Sequence, residues 1–242
     1  MADAAKRLEQ AVEVDFPAKL REAFGDGLDA VVLYGSYVAG TFEPGVSDVN
    51  VLVLLSEPDP DALARLSKSA GSLMRTHHIT PLLLSSHEFA RSSDVFPMEY
   101  LDIAARHRVL HGEDPTAALA IDRRNLRHQV EHQLRGNLIS LRQLVLAARG
   151  RRRPLGRELK RWYGPTAAVF RGLLRLTGAE DVPTEPDALI AAVNDRLGLE
   201  PGPFTRLIAY RNGGSDDPVS LAGELLGRIA ELSETVDRME SS

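Results

Sequence analysis

The chain contains no cysteine, which removes disulfide scaffolds, thiolate nucleophiles and any cysteine-containing zinc site from consideration. Long apolar runs are missing too: no stretch approaches the roughly 20 residues that span a bilayer. The first residues, Met1 to Gln10, include acids rather than the basic-then-apolar pattern of a secretion signal. These absences lead to the expectation of a soluble, cytoplasmic protein with no membrane partner. Internal repeats and long low-complexity segments are also lacking, so stability has to come from ordinary packing. With 242 residues, 43% of them hydrophobic, the chain can bury a real core, and two smaller domains are the preferred division.

Net charge is only −5, but it is unevenly placed. Residues 1–120 carry 10 Lys/Arg against 18 Asp/Glu, residues 121–175 carry 14 against 3, and residues 176–242 carry 5 against 13. The basic middle block attracts phosphate-bearing or otherwise acidic partners, which narrows the partner class without naming one.

Leu8, Val12, Phe16, Leu20 and Phe24 recur every four positions, the pattern of an amphipathic helix interrupted near Pro17. Two short runs rich in β-branched residues, Ala30 to Tyr34 and Val49 to Leu55, predict buried strands. Between them lie Gly35-Ser36-Tyr37-Val38-Ala39-Gly40 and a Glu43-Pro44-Gly45 turn, giving strand, short helix, turn, strand. A helix from Pro60 to about Met74 leads to a third strand at Ile79 to Leu84, with a fourth placed within Met98 to Leu110. Pro115 marks the boundary. Beyond it the stripe Leu126, Val130, Leu134, Leu138, Leu141, Val145 and Ala148 predicts a long helix ended by Gly150 and Pro154. Further helices are expected at 155–177, 186–197, 202–211 and 218–238. The fold class is therefore α/β of the α+β kind, with a small mixed-sheet domain over 1–118 and an all-α helical bundle over 119–242.

Gly35-Ser36 follows a strand and opens a helix, so it can offer unpaired backbone N–H groups and a hydroxyl to a phosphate, with glycine permitting close approach. Asp48 and Asn50 alternate on the next strand and aim at one site. Two carboxylates in those places would hold the divalent ions of an in-line phosphoryl displacement.

The stretch from Leu33-Tyr34-Gly35-Ser36 to Ser47-Asp48-Val49-Asn50-Val51-Leu52-Val53 resembles the DNA polymerase beta-like nucleotidyltransferase superfamily, particularly bacterial antibiotic- and minimal-type nucleotidyltransferases. The order of a small α/β domain before a helical bundle is similar as well. The resemblance implies that Gly35 and Ser36 touch a nucleoside triphosphate and that Asp48 is catalytic and coordinates Mg²⁺. It also implies a second carboxylate at position 50 and a third on the Ile79–Leu84 strand. This chain has Asn50, which can offer a metal an oxygen but no charge, and Thr80-Pro81-Leu82-Leu83-Leu84, which carries no acid. Glu99 and Asp102 are the nearest acids that could substitute; on an extended segment their spacing would set them on opposite faces.

Arg135, Arg142 and Arg149 recur every seven residues and track one face of the long helix. They read either as a solvated basic face or as a face that closes over the nucleotide phosphates, with Arg135 and Arg142 as the nucleotide contacts. Arg151-Arg152-Arg153 has no interleaved aromatics, which keeps nucleic acid a minor option. His128 and His132 have a metal-compatible i, i+4 spacing without an evident third ligand, and Glu131 with Arg135 reads as a surface ion pair. Two functions stand: Mg²⁺-dependent transfer of a nucleoside monophosphate to a hydroxyl of a small molecule or protein, or a catalytically inactive nucleotide- or partner-binding module of the same fold.

Overall fold

The computed structural model describes residues 2–42, 47–198 and 202–239; the expected Glu43-Pro44-Gly45 turn lies outside them. The chain divides into two compact units, Met1–Ala120 and Ile121–Ser242.

The first unit is built on a four-stranded sheet in which the third strand lies beside the second, the second beside the first and the first beside the fourth. β1 (Leu28–Tyr34) runs antiparallel to both β2 (Val49–Leu55) and β4 (His107–His111), whereas β2 and β3 (Ile79–Ser85) are parallel, so the sheet is mixed. The parallel pair needs a crossover, which is the helix α4 (Pro60–His77). Asp59 starts α4 by accepting bonds from the amides of Asp61 and Ala62, which satisfies donors that the first helical turn leaves open.

The four-residue apolar repeat becomes α1 (Ala2–Gln10), a π-helical turn over Ala11–Asp15, and α2 (Phe16–Phe24). Pro17 explains the interruption, because it cannot donate to the carbonyl four residues earlier and its ring crowds that group. The wider turn relieves the conflict by bonding the Phe16 amide to the Ala11 carbonyl. Val12, Phe16 and Leu20 are fully buried against Val31, Leu33, Val51 and Val53 on one face of the sheet.

On the opposite face Val32, Leu52 and Leu54 are buried, and α5 (Ser86–Arg91) and α6 (Pro97–Ala105) follow β3 in the chain. A capping box between Ser85 and Glu88 starts α5, and Phe89 stacks on Tyr100 with centroids 4.5 Å apart. The expected fourth strand is present at the end of the segment in which it was placed. Met98 to Ala105 is helical, because Pro97 sits in the first turn, where its missing N–H costs nothing, and the strand occupies only His107–His111.

The second unit comprises α7 (Arg123–Ala148), α8 (Arg152–Leu176), α9 (Pro186–Leu197), α10 (Pro203–Arg211) and α11 (Pro218–Arg238). Leu126, Val130, Leu134 and Leu141 of α7 pack in a core with Leu159, Phe170 and Leu173 of α8 and with Leu225 and Ile229 of α11. Phe170 meets Phe204 of α10 edge to face at 4.7 Å. Among the buried polar groups, Asn137 donates to Thr166 at 3.3 Å and Thr166 donates to the Trp162 carbonyl. Arg149, in the left-handed conformation, ends α7. Pro154 lies inside the first turn of α8 rather than beyond a helix end, again a position that tolerates proline.

Two glycines make opposite predictions. Gly112 leaves β4 at φ +75, and a methyl group on it would lie 2.0 Å from the Asp29 carbonyl oxygen. Gly112→Ala should cost about 2–4 kcal/mol of unfolding free energy. Gly136 lies inside α7 with nothing within 4 Å of the added carbon, so Gly136→Ala should stabilise by roughly 0.5–1 kcal/mol. Denaturant unfolding of the two variants measures both signs.

Candidate active site

Because β1 and β2 are buried on both faces along most of their length, polar side chains collect at one end of the pair. β1 ends at Tyr34, and Gly35 turns the chain with φ +79 and ψ −152, a backbone geometry that side chains other than hydrogen resist. α3 (Ser36–Ala39) follows as a single turn, closed by Gly40 in the left-handed region. So short a helix has little dipole to offer, and the anion-binding capacity expected of the Gly-Ser turn reduces to the Ser36 hydroxyl and the amides of the first turn, which have no helical carbonyl before them.

α3 is held in place by Tyr37. Its hydroxyl donates to Glu13 Oε1 at 3.1 Å, and Glu13 also pairs with Arg108 of β4. Burial, followed by the charge and hydrogen bond of Glu13, pushes the Tyr37 phenol up to about 12. Phe42 packs edge-on against the same ring at 5.7 Å. A group of residues from the first helices and the last strand thus fixes the turn that carries Ser36.

Strand register brings the other sequence-identified residues to this end. Asn50 pairs with Tyr34 on one side and with Thr80 on the other, and Tyr34 pairs in turn with His107. Directly opposed residues share a face, so Thr80, Asn50, Tyr34 and His107 form one row across the sheet. Thr80 therefore stands beside position 50, where the third carboxylate was expected. Pro81 is accommodated because β3 is an edge strand.

The carboxamide of Asn50 reaches the Gly35 turn. A methyl group on Gly35 would lie 2.8 Å from its Nδ2, so Gly35 is required by its dihedral angles and by its neighbour. Asp48, exposed just before β2, lies with Oδ1 3.8 Å from Nδ1 of His78. His78 occupies the left-handed position that ends α4, and its carbonyl accepts the Val49 amide at 2.8 Å.

His78 and Tyr34 were not singled out from sequence. His78 had no spacing signal of its own, and its place beside Asp48 follows from each preceding one of two paired parallel strands. Glu99 and Asp102 lie on α6, which is helical rather than extended, so their three-residue separation puts them on the same face. Burial, and then the charges of Glu99 and Asp102, raise the Tyr34 phenol above its ordinary pKa, which places both carboxylates in electrostatic reach of the row.

Arg135 and Arg142 are on exposed turns of α7 in the second unit, and Arg135 is ion-paired with Glu131 at 2.8 Å. His128 has its Nδ1 2.9 Å from the Arg127 guanidinium. Among the described residues no three His, Asp or Glu side chains are grouped so as to hold a metal ion. The side chains brought to this end of the sheet carry the Asp48 carboxylate, the Asn50 carboxamide and the hydroxyls of Ser36, Thr80 and Tyr34. Magnesium is usually held by one or two carboxylates together with substrate phosphates and waters; here Asp48 would supply the one full charge and Asn50 a neutral oxygen.

Residues 16–95 match the family model described as nucleotidyltransferase domain. No curated protein sequence matches the chain. Among solved structures, the chain is similar to the spectinomycin adenyltransferase AAD(9) from Enterococcus faecialis, determined with ATP and spectinomycin. The identity is 12%, the match covers 93% of this chain and 98% of that one, and the TM-score is 0.58. A toxin-antitoxin structure with AMP-PNP is 23% identical over 41% of this chain and 73% of that one, at a TM-score of 0.29, too low to bear on the fold. No helix among the described residues is long and apolar enough to cross a membrane. The matched segment runs from the first residue of α2 to beyond α5 and takes in Gly35, Ser36, Asp48, Asn50 and Thr80, so the likeness to a nucleotidyltransferase domain lies within the N-terminal unit and includes the end of β1 and β2 described above.

Proposed function

We infer that the N-terminal unit binds a nucleoside triphosphate at the Gly35-Ser36 turn and has lost metal-supported nucleotidyl transfer. The observation that carries this reading is the placement of Asn50, whose amide nitrogen faces the glycine turn while Thr80 stands directly beside it. An aspartate at position 50 would bring a negative charge to a cation. The carboxamide brings N–H donors instead, and these suit a phosphate oxygen. The Ser36 hydroxyl, the first amides of α3 and the Asn50 amide then make a neutral donor set for the phosphates. Asp48 alone supplies one charge where the transfer reaction needs a charged clamp on its developing oxyanions. The protein acts as a nucleotide-sensing, non-transferring subunit in the cytoplasm.

One observation favours transfer instead. The shared face of Glu99 and Asp102 on α6 and their electrostatic reach to Tyr34 would let them replace the missing carboxylates. In that reading the acceptor is a hydroxyl of a small molecule or protein.

Titration calorimetry with each nucleoside triphosphate, paired with a pyrophosphate-release assay in Mg²⁺ or Mn²⁺, separates the two. Saturable binding without release is expected, with Gly35→Ala and Ser36→Ala weakening it by about tenfold or more. Pyrophosphate release that disappears in Glu99→Gln or Asp102→Asn would establish transfer, and absence of binding to every triphosphate would remove both readings.

Asn50→Asp adds charge with little change in volume. It should tighten divalent-ion binding at fixed pH and salt without producing transfer, because position 80 still lacks an acid. Unchanged ion affinity in a folded Asn50→Asp protein would mean that position 50 does not face an ion-binding position.

A further inference from the structure

Helix α7 carries two stripes. One is the buried face of Leu126, Val130, Leu134 and Leu141. The other comprises His128, His132, Arg135, Ile139, Arg142 and Leu146, all exposed. Their separations alternate four, three, four, three, four, so they fall within about 100° of one another on the helix and on the side away from the core. Ile139 is 54% exposed and Leu146 is 76% exposed, and they are seven residues apart. Arg135 and Arg142 interleave with them, and Arg149 stands at the end of the helix. No acid lies on the stripe. Glu131, the one carboxylate beside it, serves both Arg127 and Arg135.

Ile139 and Leu146 present apolar surface to solvent in the middle of this basic face. The exposed stripe carries one apolar residue per heptad, Ile139 and Leu146, with Arg135 and Arg142 at the intervening positions, so apolar anchors alternate with charges that can select a partner. We propose that this face of α7, about 27 Å long from His128 to Leu146, docks an acidic amphipathic helix of a partner protein. The partner's apolar residues pack on Ile139 and Leu146, and its carboxylates meet Arg135, Arg142 and Arg149.

Charge complementarity selects this occupant. A second copy pairing through α7 would set arginine against arginine. The remaining large apolar side chains exposed among the described residues are Val14, Val95, Phe96 and Val219, which form no acidic heptad stripe to match it. A nucleic-acid backbone would satisfy the arginines but would leave Ile139 and Leu146 without apolar contact, and no aromatic residue lies on the stripe for a base to stack on. The proposal is independent of nucleotide binding and gives Arg135 and Arg142 a role outside the nucleotide site.

The full-length protein can be titrated by fluorescence anisotropy with a labelled designed peptide of about three heptads, leucine at a and d and glutamate at e and g. A lysine version and a glutamate version of scrambled order serve as controls. The glutamate peptide should bind, more tightly at low salt, and binding should weaken by about tenfold or more in Ile139→Ser/Leu146→Ser and in Arg142→Glu. These positions are exposed, so thermal melts should match the unmodified protein. Equal binding of the lysine or scrambled peptide, or unchanged binding by the variants, would overturn the proposal. So would sedimentation showing a dimer that the Ile139→Ser/Leu146→Ser change dissociates, which would assign the face to a second copy.

Discussion

The two central strands of the N-terminal sheet are covered on both faces, and that constraint decides where chemistry can occur. Val31, Leu33, Val51 and Val53 pack against the first helices, while Val32, Leu52 and Leu54 are buried on the opposite face. A polar side chain in the middle of either strand would lose its water without gaining a partner. Polar groups are therefore pushed to the end of the pair, where Tyr34, Asn50 and Thr80 line up beside the glycine turn. The edge strands extend the row at both ends without having to be fully buried. The position of the site follows from burial; its capability follows from which residues occupy the row.

Much of this was legible in the sequence because local pattern and burial agree there. The β-branched runs became β1 and β2, and the long periodic stripe became α7 with its buried face where the spacing put it. The place of Asn50 near the start of β2 could also be read, since the apolar run beginning at Val49 is a local property. What could not be read was set by tertiary partners. α5 and α6 are short and without a clean period, so the strand expected within Met98 to Leu110 could not be separated from the helix before it, and only the helical geometry puts Glu99 and Asp102 on a common face. His78 became Asp48's neighbour through the pairing of two strands nearly thirty residues apart. The second stripe on α7 was visible only as a recurrence of arginines; exposure of Ile139 and Leu146 is a property of the folded chain.

Charge and packing divide the work differently in the two units. In the first, isolated ion pairs hold secondary elements in register, as Glu13 does in serving both Tyr37 and Arg108. In the second, Arg206 pairs with both Asp216 and Glu224, while the basic residues of α7 outnumber the acids available to them. The excess is tolerated at the surface because solvent screens it, and it leaves that helix electrostatically ready for acidic company.

The π-helical turn before Pro17 gives the amino-terminal segment a particular sensitivity to length. Such a turn accommodates one more residue than the regular helix would, and it sets the angular phase of α1 relative to α2. One more residue inserted between Ala11 and Asp15, beyond the one this turn already absorbs, would rotate α1 by about 100° relative to α2, swinging Leu8 away from the sheet and disturbing the placement of Glu13. A change in chain length far from the glycine turn would thus reach Ser36 through the Tyr37 anchor, whereas a conservative substitution at the same positions would pass almost unnoticed.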